Sequence, residues 1–349
     1  MWHKGYMHYH TSFNYPGNKR ISPEELADDL KKLGASFAFC AGDHGDPQGN
    51  NYWGLDIREF EDYRDACFSI DGKRDFILVP APEIHLMFPP FTERHEHHCC
   101  IPVSDYIPAL SVPESKVLAA SYTRNTEEFI GQAHSHNVPV VFNHPRQSFA
   151  SPIAGPHPLS LEVFREFDYM ELLSIDWPGD FAADFEFYLK YLELNPSAPM
   201  GACAGVDNAG TPDKFLSAEK RMLPATFLYI KGPLNRESLM DAYRNRSSYA
   251  VYGNLSLKNI HPIPSLQLID TVRKPAIELE ISGVGDKTAK LEIYRNSLKI
   301  REYEINAGNC VWHWEDENPV RGENHYTVHI KAGAEHLTLS PINYLWSNA

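Results

Sequence analysis

Two histidines, His8 and His10, lie one residue apart in the first partly apolar run of the chain, GYMHYHTSFNY. Residues i and i+2 of a β-strand point to the same face, so both imidazoles project side by side if this run is a strand. Neutral imidazole is a good ligand for zinc, iron and similar ions. The pair therefore indicates a metal site, although two unrelated surface histidines would show the same spacing.

Further acidic and imidazole side chains stand at the ends of apolar runs of strand length. The runs ASFAFCAGDH, DFILVPAPE, VPVVFNH and PMGACAGVD end at His44, Glu83, His144 and Asp207. In parallel α/β folds, reactive groups cluster just beyond the carboxyl ends of the strands. The sequence therefore predicts that these side chains meet at one end of a sheet or barrel.

Helical and buried-strand patterns alternate over roughly the first 250 residues, which is typical of a parallel sheet or barrel. The clearest helix is SPEELADDLKKLG, where Ser22 is the N-cap, Glu25 completes a capping box and Gly34 ends the helix. Helices are also predicted in NTEEFIGQAHSHN and FAADFEFYLKYLELN. After about residue 255, short alternating strands without a helical pattern predict a small antiparallel sandwich. The expected domains are residues 1–255 and 256–349.

The composition excludes several classes of protein. The chain has 349 residues, 43% of them hydrophobic, and a formal net charge of −14, which disfavours a nucleic-acid partner. It contains no apolar run of membrane-spanning length and no signal-peptide pattern, so the expected location is cytoplasmic, or periplasmic or secreted if a leader has been removed. None of the six cysteines forms a C-x-x-C pair. Four of them lie in apolar runs and are interpreted as reduced core residues in a reducing compartment: Cys40, Cys99, Cys100 and Cys203.

The ordered set KGYMHYHT, GDH, the glutamate of APEIH, HHCC, NHP and GVD resembles the motif set of the PHP metallohydrolase superfamily. The opening WHKGYMHYHT and the closing SPINYLW are similar to the CehA/McbA branch, in which a PHP barrel precedes a small β-domain. The resemblance implies an α/β fold with a distorted (β/α)7 PHP-type barrel, followed by a small antiparallel β-sandwich domain.

The resemblance also implies a binuclear metal centre, and the mix of histidine and carboxylate suits zinc, manganese or iron without choosing between them. One ion would be held by His8, His10, Glu83 and Asp207. Glu83 would bridge to a second ion, which His144 and either His97 or His98 would also bind.

Two departures from the family pattern affect a third metal site. The loop HTSFNYP lacks the usual acidic residue, and Asp207-Asn208-Ala209 lacks the last histidine. Two ions are therefore expected rather than three. This leaves Asp43 and His44 for acid–base or substrate contacts.

The predicted function is a metal-dependent hydrolase in which a metal-bridging hydroxide attacks a small-molecule ester. A phosphoester ranks first, and a carboxylic or carbamic ester of the CehA/McbA type is the alternative. A different class of function is a non-catalytic glycan- or partner-binding protein on a degenerate PHP scaffold. Arg146, just after His144-Pro145, could orient an anionic group or be a plain surface arginine.

Other residues have two interpretations. Glu171 in YMELLSID could support the site or be an outward-facing, salt-bridged residue. Trp312 and Trp314 could stack on a sugar ring, but a strand of a sandwich core accounts for them more simply. The motif set does not include His85, His95, His134 or His136, which are interpreted as surface residues or supporting groups.

Overall fold

The computed structural model describes residues 1–11, 21–41, 57–87, 96–103, 111–112, 117–118, 126–144, 166–172, 181–194, 196–208, 224–283, 288–306 and 308–347. For some residues inside helices and strands, among them His85, His97 and His98, this description covers the backbone alone. No helix in these ranges is long and apolar enough to cross a membrane.

The helices of the described part are α1 (Pro23–Lys32), α2 (Ile57–Arg74), α3 (Thr126–Ser135), α4 (Phe181–Leu194) and α5 (Arg236–Arg244). The capping box predicted for α1 is confirmed: the Ser22 hydroxyl accepts from the backbone N–H of Glu25 at 3.2 Å, and the Glu25 carboxylate accepts from that of Ser22 at 2.9 Å. Gly34, with a φ of +79°, follows the end of the helix. The helices predicted at α3 and α4 are also confirmed.

The strands before residue 210 are β1 (Trp2–His10), β2 (Phe37–Ala41), β3 (Ile77–Pro80), β4 (Glu83–Met87), β5 (Glu96–Cys100), β6 (Ser111–Val112), β7 (Val117–Leu118), β8 (Val141–Phe142), β9 (Tyr169–Glu171), β10 (Gly201–Cys203) and β11 (Gly205–Asn208). Strands β11, β1, β2 and β3 are parallel neighbours in this order. Strands β10, β9 and β8 are also parallel, whereas β5 is antiparallel to both β8 and β4. The predicted parallel pairing is therefore confirmed, with a hairpin added at β4 and β5.

The chain itself joins these two groups of strands at both ends. Strand β3 leads into β4 through Ala81 and Pro82, and β10 leads into β11 through Ala204. The backbone N–H of Val103 donates to the Pro80 carbonyl at 2.9 Å, which adds a direct bond between the groups. These links bring the ends of β1, β8 and β11 and the start of β4 to one region.

The remaining strands are β12 (Ala225–Tyr229), β13 (Ser248–Tyr252), β14 (Ser256–His261), β15 (Ser265–Thr271), β16 (Ala276–Ser282), β17 (Thr288–Arg295), β18 (Leu298–Asn306), β19 (Cys310–Glu315), β20 (Gly322–Ala332), β21 (Glu335–Leu339) and β22 (Ile342–Trp346). Strand β12 is antiparallel to β1 and to β13, and β13 is antiparallel to β21. One large mixed sheet therefore runs from β3 into the carboxyl-terminal strands, while β14, β16 and β19 form a separate sheet.

The carboxyl-terminal strands enclose their own hydrophobic cluster. It includes Leu279, Ile293, Val328 and Trp314, so Trp314 is a core residue, and Trp312 packs against the cluster. Apolar burial of this kind contributes about 25 cal/mol per Å². The domain boundary at residue 255 stays a prediction, because β12 and β13 connect the two parts within one sheet.

Candidate metal centre

Imidazole and carboxylate side chains from separate strands converge at the ends of these strands. The ligand atoms of four of them lie within 4.8 Å of one another: those of His8, Glu83, His144 and Asp207. His10 lies beside this cluster, with its Nε2 atom 3.3 Å from Asp207 Oδ1. The five side chains are hereafter called the metal cluster.

The two oxygens of Glu83 face different histidines. Oε1 lies 3.2 Å from Nε2 of His8 and 3.1 Å from Nε2 of His144. Oε2 lies 3.4 Å from Nε2 of His10. The carboxylate of Glu83 therefore contacts all three histidines of the cluster.

Asp207 divides its oxygens in a similar way. Its Oδ1 atom lies 3.3 Å from Nε2 of His10 and 3.6 Å from Nε2 of His8. Its Oδ2 atom lies 3.7 Å from Nε2 of His144. Both acids thus face His10 on one side and His144 on the other.

The backbone at the cluster adopts conformations that L-residues rarely take. The φ angles of His8, His144 and Asp207 are +53°, +23° and +43°. In β1 the strand register shifts at this point against both β11 and β2, so the bulge re-aims the side chain of His8. Such strained residues persist where the surrounding structure holds them, and they concentrate at functional sites.

The groups of the cluster alter each other's proton affinity. Burial by itself lowers the pKa of His8, but three carboxylates raise it well above 6.5: those of Glu83, Glu171 and Asp207. Burial likewise lowers the pKa of His144, and the hydrogen bond to Glu83 together with the charge of Asp207 produces a net increase. Burial would raise the pKa of Asp207, whereas the charge of His8 holds it well below its usual range. The three carboxylates therefore favour a positive charge at this place, which is a proton on the imidazoles when no metal ion is bound.

The residues fit a divalent metal ion. Imidazole nitrogens and carboxylate oxygens are the donor types that zinc, manganese and iron share. Within the described part of the chain, Nε2 of His8 makes no hydrogen bond although His8 is 2% exposed. This nitrogen has carboxylate oxygens 3.2 and 3.6 Å away but no hydrogen bond, which is costly for a buried polar atom, and an ion among these donors would remove that cost.

Of the residues proposed from sequence, the structure brings together His8, His10, Glu83, His144 and Asp207. His97 and His98 lie on β5, which pairs with the strand of Glu83, and their side chains fall outside the description. Asp43, His44 and Arg146 lie outside the described residues.

Asn143 was not identified from the sequence, and Glu171 was left with two interpretations. The fully buried amide of Asn143 donates to Oε1 of Glu83 at 3.0 Å. Glu171 points inward, with Oε2 2.9 Å from Nδ1 of His8. The position of Asn143 beside His144 in FNHP was the signal available in the sequence.

The other histidines that matched no motif lie apart from this site where they are described. His134 lies in the last turn of α3, and its Nε2 atom is 2.9 Å from Oδ2 of Asp168. His136 is exposed. Cys40, Cys99 and Cys203 are buried, as predicted, and form no disulfide among the described residues.

A scan against protein-family models gives no match, and a search of curated proteins gives none either. Among solved structures, endonuclease Q bound to a 27-mer duplex with an abasic lesion is 11% identical, with a TM-score of 0.42 over 70% of this chain. The match spans 57% of the endonuclease Q chain, a little over half its length.

Two further structures are similar to this chain. A protein assigned as a metal-dependent phosphoesterase from Bifidobacterium adolescentis is 14% identical, with a TM-score of 0.37 over 59% of this chain and 88% of its own. An amidohydrolase from Chromobacterium violaceum is 11% identical, with a TM-score of 0.38 over 60% and 88%. All three of these structures have TM-scores below 0.5.

Proposed function

We propose that this chain is a metal-dependent hydrolase of the PHP type and that the metal cluster holds its divalent ions. The convergence of buried histidines and carboxylates from separate strands, with Nε2 of His8 left without a hydrogen bond, carries the proposal. The order of the sequence motifs supports it independently. The CehA/McbA branch is proposed from the first and last motifs.

A binuclear centre is supported by the two carboxylates of the cluster. Glu83 faces His10 with one oxygen and His144 with the other, which supports the bridging role proposed for Glu83. Asp207, proposed as a ligand of one ion, faces the same two histidines. His97 or His98 is proposed as a further ligand. Zinc, manganese or iron bound here would acidify a coordinated water and polarise an ester oxygen.

The fold proposed around this centre is a distorted seven-stranded barrel followed by a β-sandwich. The links from β3 to β4 and from β10 to β11 support closure of the first part, and the separate hydrophobic cluster around Leu279 supports the second. The cluster would then lie at the mouth of the barrel, where parallel α/β enzymes place their reactive groups.

The residues of the chain supply binding, orientation and a buried setting. Asn143 donates to Oε1 of Glu83, which fixes the rotation of that carboxylate. Burial of His8 and Glu83 excludes water and strengthens the electrostatic interactions at the site. Asp43 and His44 are proposed for proton transfer and Arg146 for orienting an anionic substrate.

The substrate proposed first is a phosphoester, because the resembled superfamily acts most often on this class. A carboxylic or carbamic ester is the second proposal, from the CehA/McbA resemblance. Both need a polarised oxygen and a water-derived nucleophile, so the same centre serves either.

The experiment compares the full chain with Glu83→Gln after incubation with Zn²⁺, Mn²⁺ or Fe²⁺. Metal content is measured by elemental analysis, and activity on nitrophenyl phosphate, bis(nitrophenyl) phosphate and nitrophenyl acetate. The variant is expected to lose metal and at least about 100-fold in activity, since removing even an outer partner of a ligand costs roughly 10- to 100-fold. Glu278→Gln, on the exposed face of β16, is the matched control and should keep both properties.

Full turnover by a folded Glu83→Gln variant would contradict the proposal. A wild-type chain that binds metal but hydrolyses none of the three esters would favour the non-catalytic alternative. A wild-type chain that binds no metal would remove the basis for the hydrolase.

A further inference from the structure

We infer that Glu171 is a positioning residue that fixes the tautomer and ring orientation of His8, so that Nε2 of His8 is presented to the metal as an unprotonated donor. The inference deepens the proposed function and rests on it. Glu171 itself faces His8 rather than the centre of the metal cluster.

The two nitrogens of His8 have different neighbours. Nδ1 lies 2.9 Å from Oε2 of Glu171, and Nε2 lies 3.2 Å from Oε1 of Glu83. A carboxylate only accepts hydrogen bonds, so the proton of a neutral His8 ring belongs on Nδ1 when Glu171 is its partner. The lone pair then lies on Nε2, the atom that has no hydrogen bond in the described part.

Burial prevents water from taking over the role of Glu171. The side chains of His8 and Glu171 are 2% and 1% exposed. A carboxylate that binds the second nitrogen of a metal-ligating histidine sets the tautomer and raises the basicity of the ligand. The burial and the 2.9 Å contact place Glu171 in this relation to His8.

The neighbouring strand leaves room for this side chain. A Cβ atom at Gly205 would lie 2.2 Å from Cδ of Glu171 and 2.4 Å from its Oε1. Gly205 is paired with Met7, the residue before His8, so Glu171 reaches His8 across the backbone of β11. The glycine of CAGVD is Gly205, and a larger residue there would occupy the space that the Glu171 carboxylate fills.

Two substitutions distinguish a positioning role of Glu171 from a role in packing alone. Glu171→Gln keeps the shape, but its amide can donate to Nδ1 as well as accept from it, which permits the tautomer with the proton on Nε2. Gly205→Ala keeps the carboxylate and displaces it from His8. Both variants should weaken metal binding if the contact between Glu171 and His8 matters, although only Gly205→Ala adds side-chain volume.

The test measures Zn²⁺ affinity of the metal-free full chain by competition with a chelator, with Mn²⁺ as a second probe. Glu171→Gln and Gly205→Ala are expected to lower the affinity about 10- to 100-fold, as removal of such partners does in other metal sites. Glu278→Gln is the control for the loss of one carboxylate. Nitrogen NMR of labelled histidines in the Zn²⁺-loaded chain, with His8 assigned from the His8→Gln variant, should show Nδ1–H and a metal-bound Nε2 only when Glu171 is present.

Unchanged Zn²⁺ affinity in a folded Glu171→Gln variant, with Nδ1–H of His8 retained, would overturn the inference and leave the hydrolase proposal intact. A wild-type chain that binds neither Zn²⁺ nor Mn²⁺ would overturn both. The behaviour of the wild-type chain therefore distinguishes the two failures.

Discussion

At the scale of single residues, His8 combines a left-handed backbone with contacts to three acids, two of them buried and one, Asp207, partly exposed. Its ring lies among Glu83, Glu171 and Asp207, and its φ angle is +53°. The same three carboxylates raise its pKa above the ordinary value. A metal ion must therefore compete with a proton for this ring.

This competition predicts that metal affinity rises with pH. His8 and His144 have raised pKa values in the metal-free chain, so both hold protons more strongly than ordinary imidazoles do and must release them to bind an ion. Zn²⁺ affinity, measured by chelator competition from about pH 6 to about pH 8, should increase throughout this range. An affinity that does not change with pH would contradict the assignment of these histidines as ligands.

At the scale of elements, local chemistry predicts some helices better than others. Helix α1 carries a cap, a first-turn proline and regularly spaced leucines, all of which can be identified in SPEELADDLKKLG. The sequence patterns did not single out α2 or α5. The apolar residues of α2 are not concentrated on one face, and the cap of α5 at Asn235 with Ser238 is less usual than a serine–glutamate pair.

The capping box of α1 gives a prediction at this scale. Ser22→Ala removes the acceptor for the backbone N–H of Glu25, and the free energy of unfolding should fall by about 1 kcal/mol. Urea denaturation followed by circular dichroism measures this change. Metal binding should be unaffected, because α1 contributes no described residue to the metal cluster. A Ser22→Ala variant as stable as the wild type would show that the cap does not contribute.

At the scale of the whole molecule, the carboxyl-terminal strands bury histidines against the first part of the chain. The ring of His329 on β20 stacks on Phe181 and Phe185 of α4, and Phe181 also contacts His336 of β21. Burial lowers the pKa of His325, on the same strand, to about 4, and that of His329 well below its ordinary value. Near neutral pH the rings of His325 and His329 are therefore uncharged in the folded protein.

Neutral buried histidines make the fold less stable in acid. The folded pKa of His325, about 4, lies below the unfolded value of 6.5, so the unfolded chain takes up the proton first as the pH falls. Stability is therefore full above about pH 6.5 and decreases towards about pH 4. His325 alone should account for about 2 kcal/mol between about pH 7 and about pH 5.

The measurement compares urea unfolding of the wild type and of His325→Leu at both pH values. The variant should lose that part of the pH dependence, while the contributions of His8 and His144 cancel in the comparison. His313→Leu, on the exposed side of β19, is the control and should behave like the wild type. An identical pH dependence in His325→Leu would contradict a neutral, buried His325.

The sequence by itself determined what depends on neighbours along the chain. The capping box of Ser22 and Glu25, the alternation of helices with apolar strands, and the polar residues at strand ends all follow from local rules. Residues such as Glu83 and Asp207 could be chosen because an acid at the end of a buried strand is unusual. These patterns indicated the class of chemistry before any contact was known.

Only the tertiary structure decided how these residues face each other. The inward turn of Glu171 depends on the space over Gly205, and the approach of Asn143 to Glu83 joins residues far apart in sequence. The pairing of β13 with β21, which extends the large sheet into the carboxyl-terminal strands, also joins residues far apart in sequence. Such contacts depend on packing between strands, which the spacing of residues along the chain does not encode.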